Sequence, residues 1–187
     1  QAIRKLLHKM RAPPNEHMKR GTRLEPVARQ MFVEELRSEL RSEHPEWTVE
    51  CVEDGLCVVD DPDMYCFGYS PDGRVIITDR ATGKVTQQLL EIKAPAKGFY
   101  PQIPPSYMAQ MQMGMELLRQ IFDPDGFTLC YFVQIHDGAI KTEVVKYNKH
   151  YTEHMMTELA RLWIKEFIPR VLLKKAGYIR GTDIFPY

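Results

Sequence analysis

The sequence predicts a mixed α/β (α+β) fold in which a mixed β-sheet is flanked by helices. Three observations predict it. A broad apolar stripe recurs at helical spacing through Leu24, Val27, Ala28, Met31, Phe32, Leu36 and Leu40. Two strand-like stretches, residues 74–78 and 85–94, flank a turn and read as a hairpin. A second helical pattern, two more strands and a long closing helix follow, with neither an internal repeat nor a linker. The order is α, β, α, β, α around one sheet, and 187 residues most simply make one domain with a real core.

Taken in order, residues 2–9 can form a short helix that Arg11-Ala12-Pro13-Pro14-Asn15 breaks. Pro26 fits a first turn, so the first long helix is expected to begin near Leu24 or Glu25 and to end at His44-Pro45. Glu25 then stands in that first turn, where an acid also suits the helix dipole. Residues 47–52 alternate like a strand, and 56–59 suggest another. Ser70-Pro71-Asp72-Gly73 has turn chemistry: proline fixes φ, aspartate bonds nearby backbone and glycine closes the turn. The hairpin arms nearly match in length. Asp72, at the start of one, and Glu91 with Lys93, near the end of the other, therefore converge within about 10 Å.

Residues 94–105 form a loop presenting Lys97, Phe99 and Tyr100. A helix over 106–122 is expected, with Ser106 as its cap and Met108, Met111, Met115 and Leu118 toward the core. Gln110 and Gln112 lie about 200° apart on it, so at most one faces a given site. Strands over 127–135 and 139–147 flank an Asp137-Gly138 turn, and a closing helix over 148–175 is kinked by Pro169.

The composition is ordinarily globular, 44% hydrophobic and 27% charged, with no run of about 18 apolar residues for a membrane span. No secretory apolar run opens the chain, which begins with Gln1 rather than Met as a trimmed chain would. Cys51, Cys57, Cys66 and Cys130 show no C-x-x-C pairing and read as reduced thiols of an intracellular protein. The histidines show no metal-ligand spacing. A net charge of zero argues against a generic DNA coat, but the charge is segregated. Seven basic residues face one acid up to Arg23, eleven acids face Arg37 and Arg41 over residues 34–63, and basic residues return from Arg161 onward. Such segregation permits a polyanion on one face.

Chemistry concentrates at Glu91-Ile92-Lys93. Residues two apart on a strand share a face, so Glu91 and Lys93 project together while Leu90 and Ile92 project oppositely. Alone, such a pair also reads as a surface salt bridge, and Asp72 as a turn residue. Together with Asp72 and Glu25 they form a kit for phosphodiester hydrolysis. Asp72, Glu91 and the Ile92 carbonyl offer hard oxygens suited to Mg²⁺, with Mn²⁺ as a substitute. A Mg²⁺-activated water is the expected attacker, with Lys93 orienting it or neutralising charge, and Glu25 holding water or a second ion. A glutamine of the 106–122 helix would bond that water or Lys93. No G-x-x-x-x-G-K-[ST], G-x-G-x-x-G or H-E-x-x-H is present, and no serine or cysteine nucleophile has a histidine partner by motif.

Gly21-Thr22-Arg23-Leu24-Glu25-Pro26, Ser70-Pro71-Asp72-Gly73, Leu90-Glu91-Ile92-Lys93 and Tyr107-Met108-Ala109-Gln110-Met111-Gln112 occur in that order. In this the chain resembles the PD-(D/E)XK nuclease superfamily, specifically the phage-type exonucleases of the lambda exonuclease/YqaJ recombinase group and related viral alkaline nucleases. The resemblance implies a single nuclease domain over 1–187: a helical arm at 1–20, a PD-(D/E)XK, restriction-endonuclease-like core at 21–175 and a tail at 176–187. It implies Asp72 and Glu91 as metal ligands, Lys93 as the catalytic lysine, Glu25 as the helix carboxylate, and Gln112 rather than Gln110 as the site glutamine. The implied activity is Mg²⁺-dependent 5′–3′ digestion of linear duplex DNA in phage or viral recombination, often alongside a single-strand annealing protein. An intracellular setting, host cytoplasm or nucleus, is implied with it. Arg11, Arg23, Lys97, Tyr107 and Arg180 are candidate nucleic-acid contacts. Upstream of Glu25 the chain departs from the family, with no clear Ser-bearing motif for a 5′-phosphate pocket. An endonuclease or RNA-cleaving nuclease of the same fold, and a catalytically silent DNA-binding module, are the alternatives.

Overall fold

The structure is a computed structural model that describes residues 15–61, 64 and 66–178. The predicted helix at 2–9, Arg11, Arg180 and most of the tail lie outside the described residues. The chain divides into two compact units, one over residues 15–152 and the other comprising, of the described residues, 153–178.

The first unit opens with α1 (Glu16–Glu43), which starts well before the expected Leu24 or Glu25. Asn15 sets that start: its side chain accepts the Met18 N–H at 2.8 Å. Glu16 in the first turn is paired with Lys19 at 2.8 Å. Pro26 thus sits inside the helix, where it removes the N–H that would bond the Thr22 carbonyl at a cost of about 3 kcal/mol. The cap before it and the apolar stripe after it carry the helix through. At the other end the His44 N–H closes on the Leu40 carbonyl at 2.7 Å, just before Pro45.

The strands are β1 (Trp47–Val52), β2 (Cys57–Val58), β3 (Gly68–Tyr69), β4 (Gly73–Asp79), β5 (Val85–Lys93), β6 (Leu129–His136) and β7 (Ala139–Lys146). Five of them form a mixed sheet in the order β1-β4-β5-β6-β7, antiparallel except between β5 and β6; β2 and β3 pair separately. The expected hairpin is β4–β5, with Gly73 opposite Leu90 and Thr78 opposite Val85. The Asp137-Gly138 turn has φ of 48° and 78°, the doubly positive pattern of a tight hairpin turn. The parallel step from β5 to β6 is bridged by α2 (Pro105–Ile121). Pro104, not the expected Ser106, is the α2 N-cap and makes no side-chain cap bond. Pro105 at the first helical position presets φ, so the turn closes through the Tyr107 and Met108 N–H groups on the Pro104 carbonyl, at 2.9 and 3.1 Å.

One sheet face is covered by α1. Its Ala28, Phe32, Val33 and Leu36 form one buried cluster with Val49, Val75, Leu90, Ile92, Val133 and Ile135. Each fully buried Leu or Phe side chain of such a cluster stabilises by roughly 1.5–3 kcal/mol. On the other side α2 buries Met111, Met115, Leu117 and Leu118 and packs on β5, β6 and the small β2–β3 sheet.

The closing helix carries the irregularity expected near Pro169. It consists of α3 (Lys149–Leu162), a π-helical turn (Trp163–Phe167) and α4 (Ile168–Lys175). Pro169 lacks the N–H that an α-helix would give to Lys165, and the widened turn, closed from Ile168 N–H to Trp163 carbonyl, absorbs the break. Within that turn Trp163 stacks on Phe167 with centroids 4.1 Å apart. No helix among the described residues is long and apolar enough to cross a membrane.

Candidate active site

Alternation along β5 builds the site. Leu90 and Ile92 point into the cluster beneath α1, which sends Glu91 and Lys93 to the α2 side. Glu91 is fully buried. Its Oε1 accepts from Lys93 Nζ and from Gln110 Nε2, the latter at 2.8 Å, while its Oε2 accepts from the Tyr69 hydroxyl. Asp72 arrives from the hairpin register, one residue before Gly73 opposite Leu90. Its Oδ2 accepts the Ile92 N–H at 2.7 Å and lies 4.0 Å from Lys93 Nζ. One ammonium therefore stands between two carboxylates.

The third carboxylate comes from α1. Arg29 donates from Nε to the Asp72 carbonyl at 2.9 Å and holds Glu25 at 3.0 Å, with Glu53 on its remaining edge. This clamp ties the helix to the hairpin start and brings Glu25 into a groove of about 610 Å³ that Asp72, Ile92, Lys93, Tyr107 and Gln110 also line. Tyr107 lies under Lys93, whose Nζ is 5.1 Å from the ring centroid, and its hydroxyl is 3.4 Å from that of Tyr100. Buried Gln134 fixes this rim by accepting the Tyr100 N–H at 2.7 Å.

The electrostatics are those of crowded acids. Burial pushes the Glu91 carboxyl above the usual range and the charge of Asp72 pushes it further, against the pull of Lys93. Burial also raises Asp72, against the Ile92 N–H, Lys93 and Arg29. Glu25 is raised by burial and then by Asp72. The site is short of positive charge. Among the described residues no group of three or more His, Cys, Asp or Glu forms a ready metal cage. Mg²⁺ needs less: it is typically held by one or two carboxylates, with waters and substrate phosphate completing the shell. Asp72 Oδ1, which has no hydrogen-bond partner among the described residues, and the buried Glu91 fit that requirement by oxygen chemistry, and burial leaves both carboxylates in want of a compensating cation.

The structure brings Glu25, Asp72, Glu91, Lys93, Ile92, Tyr107 and Gln110 together, and it corrects one assignment. Gln112, preferred in the sequence, faces away from the site. Its Nε2 donates to the Lys146 carbonyl at 2.8 Å, and its Oε1 accepts the Asn148 N–H at 2.8 Å and the Thr152 hydroxyl at 3.2 Å. Gln110 is the glutamine that reaches this cluster, because the two flank the α2 core stripe on opposite sides and only one side faces β5. Arg23 and Lys97 are exposed. Arg23 lines an adjoining hollow of about 460 Å³ together with Arg20 and Ala96, the residue before Lys97.

Two contributors escape sequence reasoning. Arg29 left a trace, since it stands four residues after Glu25 on a helix, the spacing of a side-chain pair. Tyr69 left none, because its strand is two residues long.

The family model described as the YqaJ-like viral recombinase domain matches residues 4–117, more than half of the chain. The matched span contains Glu25, Asp72, Glu91, Lys93 and Gln110. No curated protein matches the chain. A five-stranded mixed sheet flanked by helices, with Asp72, Glu91 and Lys93 at one end of the β4–β5 hairpin, is the PD-(D/E)XK-like nuclease fold that such a domain requires. The chain belongs to the YqaJ-like viral recombinase domain family, nucleases of viral-type recombination that act on DNA.

Proposed function

We propose that the protein is a Mg²⁺-dependent exonuclease that digests linear double-stranded DNA in the 5′ to 3′ direction, with Mn²⁺ able to replace Mg²⁺. The observation that carries the hydrolytic reading is the convergence of Asp72 and Glu91 on Lys93 beside an open groove. Asp72, Glu91 and the Ile92 carbonyl are the groups that would hold the ion. When bound, Mg²⁺ supplies a hard positive charge that polarises the scissile phosphate and acidifies the attacking water.

The remaining work falls to this chain's own side chains. Lys93 presents an ammonium to the groove, where it offsets the charge that grows on phosphate oxygens as the P–O bond breaks. Gln110 donates to Glu91 Oε1 from the α2 side and fixes where that oxygen lies. Glu25, whose carboxyl is pushed toward protonation by burial and by Asp72, is placed to take a proton from water or to orient it. Arg23 and Lys97, exposed near the groove, are suited to backbone phosphates, and either one changed to alanine should weaken duplex binding uniformly across sequences. Digestion of one strand leaves a single strand, the substrate of a strand-annealing protein acting in the same recombination step inside the host cell.

The test uses linear 5′-phosphorylated duplex labelled at either end, closed circular duplex and single-stranded RNA, each with Mg²⁺ or EDTA. Mg²⁺-dependent loss of linear duplex from its 5′ ends is the expected result. Nicked circles or cut RNA would replace the exonuclease reading with another nuclease of this fold, and no cleavage of any substrate would end the hydrolytic one. Lys93→Ala should lower cleavage by at least about 10²–10³-fold while duplex affinity holds. Full activity in that variant would refute the mechanism.

A further inference from the structure

We infer that Tyr69 is a positioning residue of this site, and that position 114 is glycine in order to seat it. The inference deepens the nuclease reading, on which it rests for what Glu91 does. Lys93 and Gln110 both donate to the same atom, Glu91 Oε1. Donors on one oxygen fix where that oxygen lies and leave the carboxylate free to rotate about it. The Tyr69 hydroxyl donates to the other oxygen, Oε2, and so supplies the second point that fixes the plane. Glu91 is fully buried and Tyr69 nearly so, which keeps water from substituting for that donor.

Gly114 explains how a tyrosine fits there. It lies inside α2 with an ordinary helical backbone, where glycine is a poorer helix former than alanine. A Cβ at this position would stand 2.5 Å from Tyr69 Cζ, 2.6 Å from Cε1 and 3.0 Å from Cε2, so the phenol ring occupies the space of the missing side chain. The ring cannot yield without withdrawing its hydroxyl from Glu91. The two-residue strands β2 and β3, which among the described residues pair with each other and not with the main sheet, thereby gain a purpose: they deliver the phenol.

Tyr69→Phe removes one oxygen and keeps the ring. Mn²⁺ affinity, read by electron paramagnetic resonance without DNA, should weaken about 10- to 100-fold, with kcat on linear duplex falling by a similar factor and KM unchanged. Gly114→Ala should act in the same direction and lower the thermal midpoint of the metal-free protein. In a Tyr69→Ala background Gly114→Ala should cost nothing further, because the added methyl meets no ring. Wild-type Mn²⁺ affinity and kcat in Tyr69→Phe would overturn the positioning role, and an equal cost of Gly114→Ala in both backgrounds would overturn the seat. A wild-type protein that neither binds Mn²⁺ nor cleaves would instead overturn the nuclease reading itself.

Discussion

The two faces of β5 differ by one residue of phase and by nearly everything else. Leu90 and Ile92 lie in an apolar cluster with α1 and neighbouring strands, where burial stabilises the fold. Glu91 and Lys93, interleaved with them, lie among Tyr69, Gln110, Tyr107 and Asp72. On that face burial works against ionisation, since both Asp72 and Glu91 are pushed toward their protonated forms. One strand thus anchors itself with one set of side chains and holds unfavourable charge with the other. The first set determines whether the site exists, and the second determines what it does.

That division can be broken most decisively at adjacent positions. Leu90→Ala, on the fully buried apolar face, should cost about 2–5 kcal/mol of stability in denaturant titrations. Turnover per folded molecule should stay near wild type. Glu91→Gln keeps the shape, leaves stability level or higher, and should lower cleavage by about 10²–10³-fold through loss of the charge. If Leu90→Ala depressed kcat in fully folded protein as strongly as Glu91→Gln does, the two faces would not be separable.

The two α2 glutamines repeat the contrast on a smaller scale. Gln112→Ala would remove the side-chain partner of the Asn148 N–H and of the Lys146 carbonyl, while the Thr152 hydroxyl keeps its 2.8 Å bond to the Asn148 carbonyl. The substitution should cost about 1–3 kcal/mol with kcat intact. Gln110→Ala should leave the thermal midpoint close to wild type and reduce turnover by about tenfold, the low end for losing a neighbour of a ligand. The reverse pattern, with Gln112 controlling turnover, would restore the assignment that the sequence favours.

The sequence was readable wherever a period or a pairing rule applied. Strand alternation separated Glu91 and Lys93 from Leu90 and Ile92, and equal hairpin arms brought Asp72 to them, as the Gly73–Leu90 register bears out. The glutamines were not decidable by the same logic. Gln110 and Gln112 stand about 100° to either side of Met111, so which one faces β5 depends on how the helix docks, not on its period. α1 starts earlier than expected because Pro26 is a local stop signal that Asn15 and the later apolar stripe together override. Tyr69 and Arg29 act across sequence gaps of 22 and 43 residues, where no local pattern points to the partner.

The smallest expected effect is also the most specific to the charged face. Asp72 binds its proton more tightly folded than unfolded, because burial outweighs the help of the Ile92 N–H, Lys93 and Arg29. Between the unfolded and the folded pKa the native state therefore holds more protons than the denatured state, so stability must fall as pH rises through that window. The contribution is fully present below the ordinary carboxylate range and lost above the elevated one. Asp72→Asn cannot ionise and should escape the loss. In metal-free protein its thermal midpoint should gain on wild type as pH is raised from about 4 to 8. Mg²⁺ should close that gap by stabilising only the charged site. A variant that tracked wild type at every pH would mean that Lys93 and Arg29 already neutralise Asp72, and that the polar face of β5 is not short of positive charge.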